Sequence, residues 1–194
     1  HLSSYSLTVE KKTALYNLIK KQKIKMSSDQ MIVDQFNLLQ ENTTNQGFIH
    51  YEISNFGKKG FFAIHNSNYW KGKRYLGIGP SAHSFNGNSR KWNVSSNKKY
   101  IYGVKNNTKY TDIEILNKKE KYNEYIFTTL RTIWGINKQF VGEKFGVSFK
   151  NYLEKITVKW IQKEYVIEDL THYKLTNTGK AFADGIASDL FIID

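Results

Sequence analysis

The chain contains no cysteine and a single proline, and its seventeen acidic residues are outnumbered by twenty-nine lysines and arginines. Without thiols, these 194 residues can hold no disulfide, no cysteine-ligated zinc and no thiolate-bound iron–sulfur cluster. No apolar run approaches eighteen residues and no charged-then-apolar leader opens the sequence. A membrane-spanning helix and an export signal are therefore not expected, and the cytoplasm is the expected location. The formal charge of +12 would draw anions such as phosphates, propionates or nucleic acid. The excess is scattered lysine mixed with asparagine, however, which reads as a solvated surface. A composition that is 40% hydrophobic and 15% aromatic can supply a core, so the chain reads as globular, with one large or two small domains.

What is present is concentrated in 50–84, HYEISNFGKKGFFAIHNSNYWKGKRYLGIGPSAHS, which carries three of the five histidines. His50 and Glu52 alternate onto one face of a strand predicted over 48–54, as an acid/base pair or a hydrogen-bonded structural pair. The following 55–60 segment reads as a loop. His65 and Tyr69 lie four residues apart on a short helical turn that ends in Trp70. Imidazole is a common ligand of haem iron and flat rings cover a porphyrin face, while pattern alone also allows a histidine and aromatics packed beneath a loop. Tyr75 to Gly79 reads as another strand, with Gly77 and Gly79 leaving bare backbone at its end. A lone G-x-G with no Walker or Rossmann context does not support nucleotide binding by those devices.

HYEISNF, HNxxYW and GLGxxAHS in this order, preceded by HLSSYSLTVE at residues 1–10, resemble the radical S-adenosylmethionine proteins related to oxygen-independent coproporphyrinogen III oxidase, in particular the HemW type. The resemblance implies S-adenosylmethionine and a 4Fe-4S cluster in a complete member. It places Tyr5, Ser6, Gly77, Gly79 and His83 in the S-adenosylmethionine region. It also associates HNxxYW with haem, making His65, Asn66, Tyr69 and Trp70 the haem candidates and His65 the candidate iron ligand. Such proteins hold their cluster through three cysteines near the N-terminus, and this chain has none. The expectation is therefore a C-terminal piece lacking the cluster-binding half, inactive by itself as a radical enzyme, with porphyrin or haem as partner. Haem binding or delivery is expected rather than coproporphyrinogen decarboxylation.

The expected fold class is α+β. Residues 1–109 are read as strands and helices of a partial radical-SAM barrel, and 110–194 as a small helical, winged-helix-like domain. In the first part, 2–9 is predicted as a strand, 13–25 as helix and loop, and Ser27 with Gln30 as the cap of a longer helix ending near Gly47. A short strand at 91–94, a helix at 98–104 and a linker at 106–109 follow. Asn117 with Glu120 then caps a helix carrying Tyr122, Ile126 and Leu130 on one face; helices at 138–145 and from Ser148, a hairpin at 165–175 and a final helix at 176–190 complete the chain. An incomplete barrel would leave a strand edge open to dimerisation. The competing reading is a basic winged-helix module for nucleic acid, with 149–160 as recognition helix. That helix offers Lys150, Asn151, Lys155, Lys159 and, just beyond it, Gln162 but no arginine, which suits only non-specific contact.

Overall fold

The computed structural model describes residues 1–193. Its strands form three small antiparallel sheets rather than a closed barrel. The first contains β1 (Leu2–Ser3), β2 (Ile49–Glu52) and β3 (Asn55–Gly57) in the order β1-β3-β2. The predicted strand over 2–9 is cut to two residues because its partner is short: Leu2 opposes Phe56, Ser3 opposes Asn55, and the amide of Ser4 reaches the carbonyl of Ser54. Beyond that point no strand is left to pair with, and Tyr5 and Leu7 are exposed. β3 itself corrects the expected 55–60 loop, since Asn55, Phe56 and Gly57 are buried. Two helices flank this sheet in the chain, α1 (Ala14–Lys20), capped by Thr13, and α2 (Asp29–Asn45). The cap of α2 is Ser28, whose hydroxyl accepts from the Met31 amide, one residue past the expected Ser27.

After β3 comes α3 (Ile64–Trp70), then β4 (His83–Phe85), β5 (Ser89–Asn93), α4 (Asn97–Asn106) and β6 (Thr111–Ile115). β4, β5 and β6 form the second sheet, so pairing runs across the 109/110 position from β5 to β6. The strand expected at 75–79 is absent. Only Tyr75 bridges to Phe85, because a Cβ on Gly77 would sit 2.1 Å from the carbonyl oxygen of His83: the loop folds back onto β4 instead of extending.

The remainder is built on α5 (Lys118–Leu130). Its capping box is formed as the sequence predicts, with Asn117 accepting from the Glu120 amide and Glu120 accepting from the Asn117 amide. Tyr122, Ile126 and Leu130, one turn apart, are fully enclosed by β7 (Ile136–Asn137), α6 (Lys138–Phe145), α7 (Val147–Gln162), β8 (Val166–Glu168), β9 (His172–Leu175) and the last helices. The third sheet has the order β7-β9-β8, adding β7 to the expected hairpin. α7 starts from Gly146, not Ser148, because φ +95° at that glycine lets one residue end α6 and open α7. The final helix is two, α8 (Asn177–Lys180) and α9 (Ala183–Asp189), separated where Phe182 leaves helical geometry.

Candidate functional site

The segment HYEISNF forms a buried joint rather than an acid/base pair. A register shift between His50 and Glu52 turns their side chains to different partners. The His50 ring stacks on Phe56 at 4.1 Å; its Nε2 lies 2.8 Å from the Ile53 carbonyl oxygen and its Nδ1 3.1 Å from Gln40 Oε1. Burial, and then the charge of Lys180, pull its pKa down to about 4. Glu52 is closed from solvent and accepts from the Ser54 amide, from Asn55 Nδ2 and from Arg131 Nε at 3.3 Å. Arg131 also pairs with Asp184 and lies over the rings of Trp70 and Phe127, at 5.5 and 5.2 Å. One guanidinium thus ties β2, α3, α5 and α9 together. Nothing near Arg131 in the sequence announces this, since Glu52 is 79 residues away.

α3 ends in a Schellman turn: the Gly72 amide donates to Tyr69 and the Lys73 amide to Asn68, with Gly72 at φ +62°. The reversal brings Tyr75 back onto Tyr69, rings stacked at 4.9 Å and hydroxyls 3.1 Å apart. Burial, then this hydrogen bond, raise the Tyr75 pKa. Tyr69, Trp70 and Tyr75 thereby form a ridge bordering two cavities. One, of about 820 Å³, is also lined by His83, Arg90, Trp92 and Glu114. The other, of about 550 Å³, faces α5, α6 and β9 and includes Lys71, Trp134, Phe140 and His172. Both fall within the range of about 300–1,000 Å³ usual for small-molecule and cofactor sites.

The sequence-derived haem candidates separate in space. Tyr69 and Trp70 line both cavities; His65, at the start of α3, lines neither, is exposed and has no hydrogen-bond partner among the described residues. Asn66 is drawn inward to Asn55 Oδ1 at 3.3 Å, a bracing contact. His65 and Tyr69 lie one turn apart on α3.

The five S-adenosylmethionine candidates do not assemble. Tyr5 and Ser6 line a cavity of about 510 Å³ beside α1 and α2, while His83 faces the ridge. The glycine loop is satisfied internally: the Gly77 amide donates to Ser84 Oγ, the Gly79 amide to Tyr100 Oη, and Asn93 Nδ2 donates to both glycine carbonyls. These five residues share no single cavity among the described residues, and none of the described residues cluster as metal ligands. Sequence reading also missed Lys180, half enclosed beside Trp160 and Phe182 in a cavity of about 400 Å³, where burial lowers its pKa to about 8.

Residues 116–182 match the HemN C-terminal domain. Heme chaperone HemW of Bacillus subtilis (strain 168) is 30% identical over 187 residues, covering 96% of this chain and 49% of that protein. Heme chaperone HemW of Lactococcus lactis subsp. lactis (strain IL1403) is 28% identical over 195 residues, covering all of this chain and 51% of that protein. The chain belongs to the HemW-like, HemN-related family. It spans about half the length of these curated relatives. Among solved structures, coproporphyrinogen III oxidase (HemN) from Escherichia coli, a radical SAM enzyme, superposes with a TM-score of 0.67 over 89% of this chain and 44% of that one. At 16% identity that likeness concerns the fold. No described helix is long and apolar enough to cross a membrane.

Proposed function

We propose that this chain is the haem-handling region of a HemW-type radical SAM protein, binding haem as cargo for delivery rather than decarboxylating coproporphyrinogen, in the cytoplasm. The observation that carries the reading is the Tyr69–Trp70–Tyr75 ridge. It presents aromatic walls to two cofactor-sized cavities, in a chain aligned over 96% of its length with a protein named a heme chaperone. In this reading Tyr69 and Trp70 would face the bound macrocycle, and the exposed His65, one turn before Tyr69 on α3, would be the residue to hold its iron. S-adenosylmethionine and a 4Fe-4S cluster belong to the whole protein: the thiolates that hold such a cluster have no source in this chain. The outer edge of β1, unpaired among the described residues, is the place where a second copy or a missing strand would add. The inner edge is covered, since Ile53 and Tyr51 bond the backbone of Arg131 and Ile133.

The nucleic-acid reading finds no comparable support. On α7, Lys150 pairs with Glu154 and Lys159 with Asp189, and Lys159 and Lys163 lie over Trp160, so much of the expected reading face is engaged within the chain.

A haem titration followed by absorbance tests the proposal. The wild-type chain should give a Soret shift and an iron–imidazole spectrum that His65→Ala loses. Identical spectra for both remove His65, and no haem uptake by either refutes the haem-handling role.

A further inference from the structure

The two cavities beside the aromatic ridge are electrostatically opposite. The larger one holds Glu114, Glu120 and Glu124, and its one arginine, Arg90, is already bound to Glu124 at 2.7 Å and faces Glu114 at 3.7 Å. A dianionic ligand entering there would meet uncompensated carboxylate. The smaller cavity has the reverse character. It is lined by Lys71, Lys121 and Lys144, and its only carboxylate is Glu124, the one committed to Arg90.

None of those three lysines has a carboxylate partner among the described residues. Lys71 Nζ lies 4.3 Å from the centroid of the Trp134 ring, and Lys121 Nζ donates to the amide oxygen of Asn88 at 3.1 Å. Many other lysines of the chain also lack an acid among the described residues, so what marks these three is that they converge on one cavity whose single carboxylate is committed to Arg90. Three cations left without acids around a wall of Trp70, Trp134, Phe85 and Phe140 match a ligand with a flat apolar body and an anionic rim. His172, which also borders the cavity, is held through both ring nitrogens, by Thr171 Oγ1 at 2.8 Å and Asn137 Nδ2 at 3.3 Å. It adds a polar edge there, not a free metal ligand.

We infer that the cavity between the end of α3 and the C-terminal helices is the carboxylate-recognition site for a flat aromatic polycarboxylate, with Lys71, Lys121 and Lys144 binding its carboxylates and Trp134 and Phe140 its face. This rests on the haem-handling reading and adds where the macrocycle's acid groups are held, a matter separate from which imidazole meets the iron.

The test uses two iron-free probes, protoporphyrin IX and its dimethyl ester, titrated into the 194-residue chain and followed by tryptophan quenching. The same titrations are run on Lys71→Ala/Lys121→Ala/Lys144→Ala and on Lys98→Ala/Lys105→Ala/Lys155→Ala, which removes equal charge away from the cavity. The cavity variant should bind the diacid at least about tenfold more weakly than the control variant, roughly the loss of one charge-assisted contact. The ester should bind the wild-type chain about as weakly as the diacid binds the cavity variant. Equal diacid affinity in the two variants, or equal affinity of wild type for diacid and ester, overturns the inference while leaving haem handling intact. Failure of the wild-type chain to bind either porphyrin also overturns the inference, and the haem titration then decides the haem-handling reading by itself.

Discussion

Acidification from about pH 7.5 to about pH 5 should remove about 2 kcal/mol of stability through one side chain, His50. Its imidazole is stacked on Phe56 and tilted against Phe36, with ring centroids at 4.1 and 5.7 Å. Its surroundings offer acceptors, the Ile53 carbonyl and Gln40 Oε1, but no carboxylate bonded to the ring, and Lys180 opposes a second positive charge. The folded pKa of about 4 lies below the ordinary 6.5, so between those values the unfolded chain takes up a proton that the folded chain refuses. The stability due to neutral His50 is complete above pH 6.5 and is lost as pH falls toward 4. At about pH 5 the unfolded imidazole is almost fully charged and the folded one almost wholly neutral, which gives the ~2 kcal/mol. Urea unfolding at both pH values, for wild type and for His50→Gln, isolates this contribution from that of the carboxylates. With a denaturant dependence of about 2 kcal/mol per molar, the wild-type midpoint should fall about 1 M further than the variant's. Equal falls would refute the linkage.

Arg131→Ala strands Glu52, whose side chain is fully enclosed, without its cation; it should cost about 3–5 kcal/mol, and adding Glu52→Gln should restore part of the loss in thermal denaturation. An unchanged Tm in Arg131→Ala would contradict the buried joint. Gly77→Ala drives a methyl against the His83 carbonyl and should cost about 1–3 kcal/mol. Amide hydrogen exchange should accelerate over 77–84 while α5 remains protected, and unchanged exchange in that loop would show that it is not closed by Gly77.

Features set by neighbouring residues were legible in the sequence. The Asn117–Glu120 capping box, the apolar stripe of α5, the bounds of α6 and the helical turn at HNSNYW all depend on contacts within one or two turns. Strand extent was not legible, because alternation shows which residues could pair but not how long the partner is: β1 stops where β3 turns away. β3 was read as a loop for its glycine and lysines, although burial by distant chain decides its state. The haem and S-adenosylmethionine candidates came from the resemblance. Their separation into an exposed His65, a braced Asn66 and a ridge of Tyr69 and Trp70 required the tertiary fold. Lys71, Lys121 and Lys144 lie too far apart in the chain for any spacing argument to collect them.

The two sequence blocks that carry the resemblance, HYEISNF and HNSNYW, meet at Arg131. Its guanidinium holds Glu52 at the end of β2 and lies over Trp70 at the end of α3, so the charge that closes the first block also sets the wall of the second. A buried ion pair adds little net stability over a well-packed apolar substitute, whereas losing one partner is costly. Its use here is therefore positional: it fixes α3 against α5 and α9 and keeps the ridge upright between the two cavities. Because Trp70 borders both, a ligand that fills the lysine-rimmed cavity presses on the same residue that Arg131 supports. Arg131 and the cavity ligand should accordingly stabilise one arrangement of α3, and porphyrin affinity should weaken in Arg131→Lys, which keeps the charge but loses the planar fork that spans Glu52, Asp184 and the indole ring.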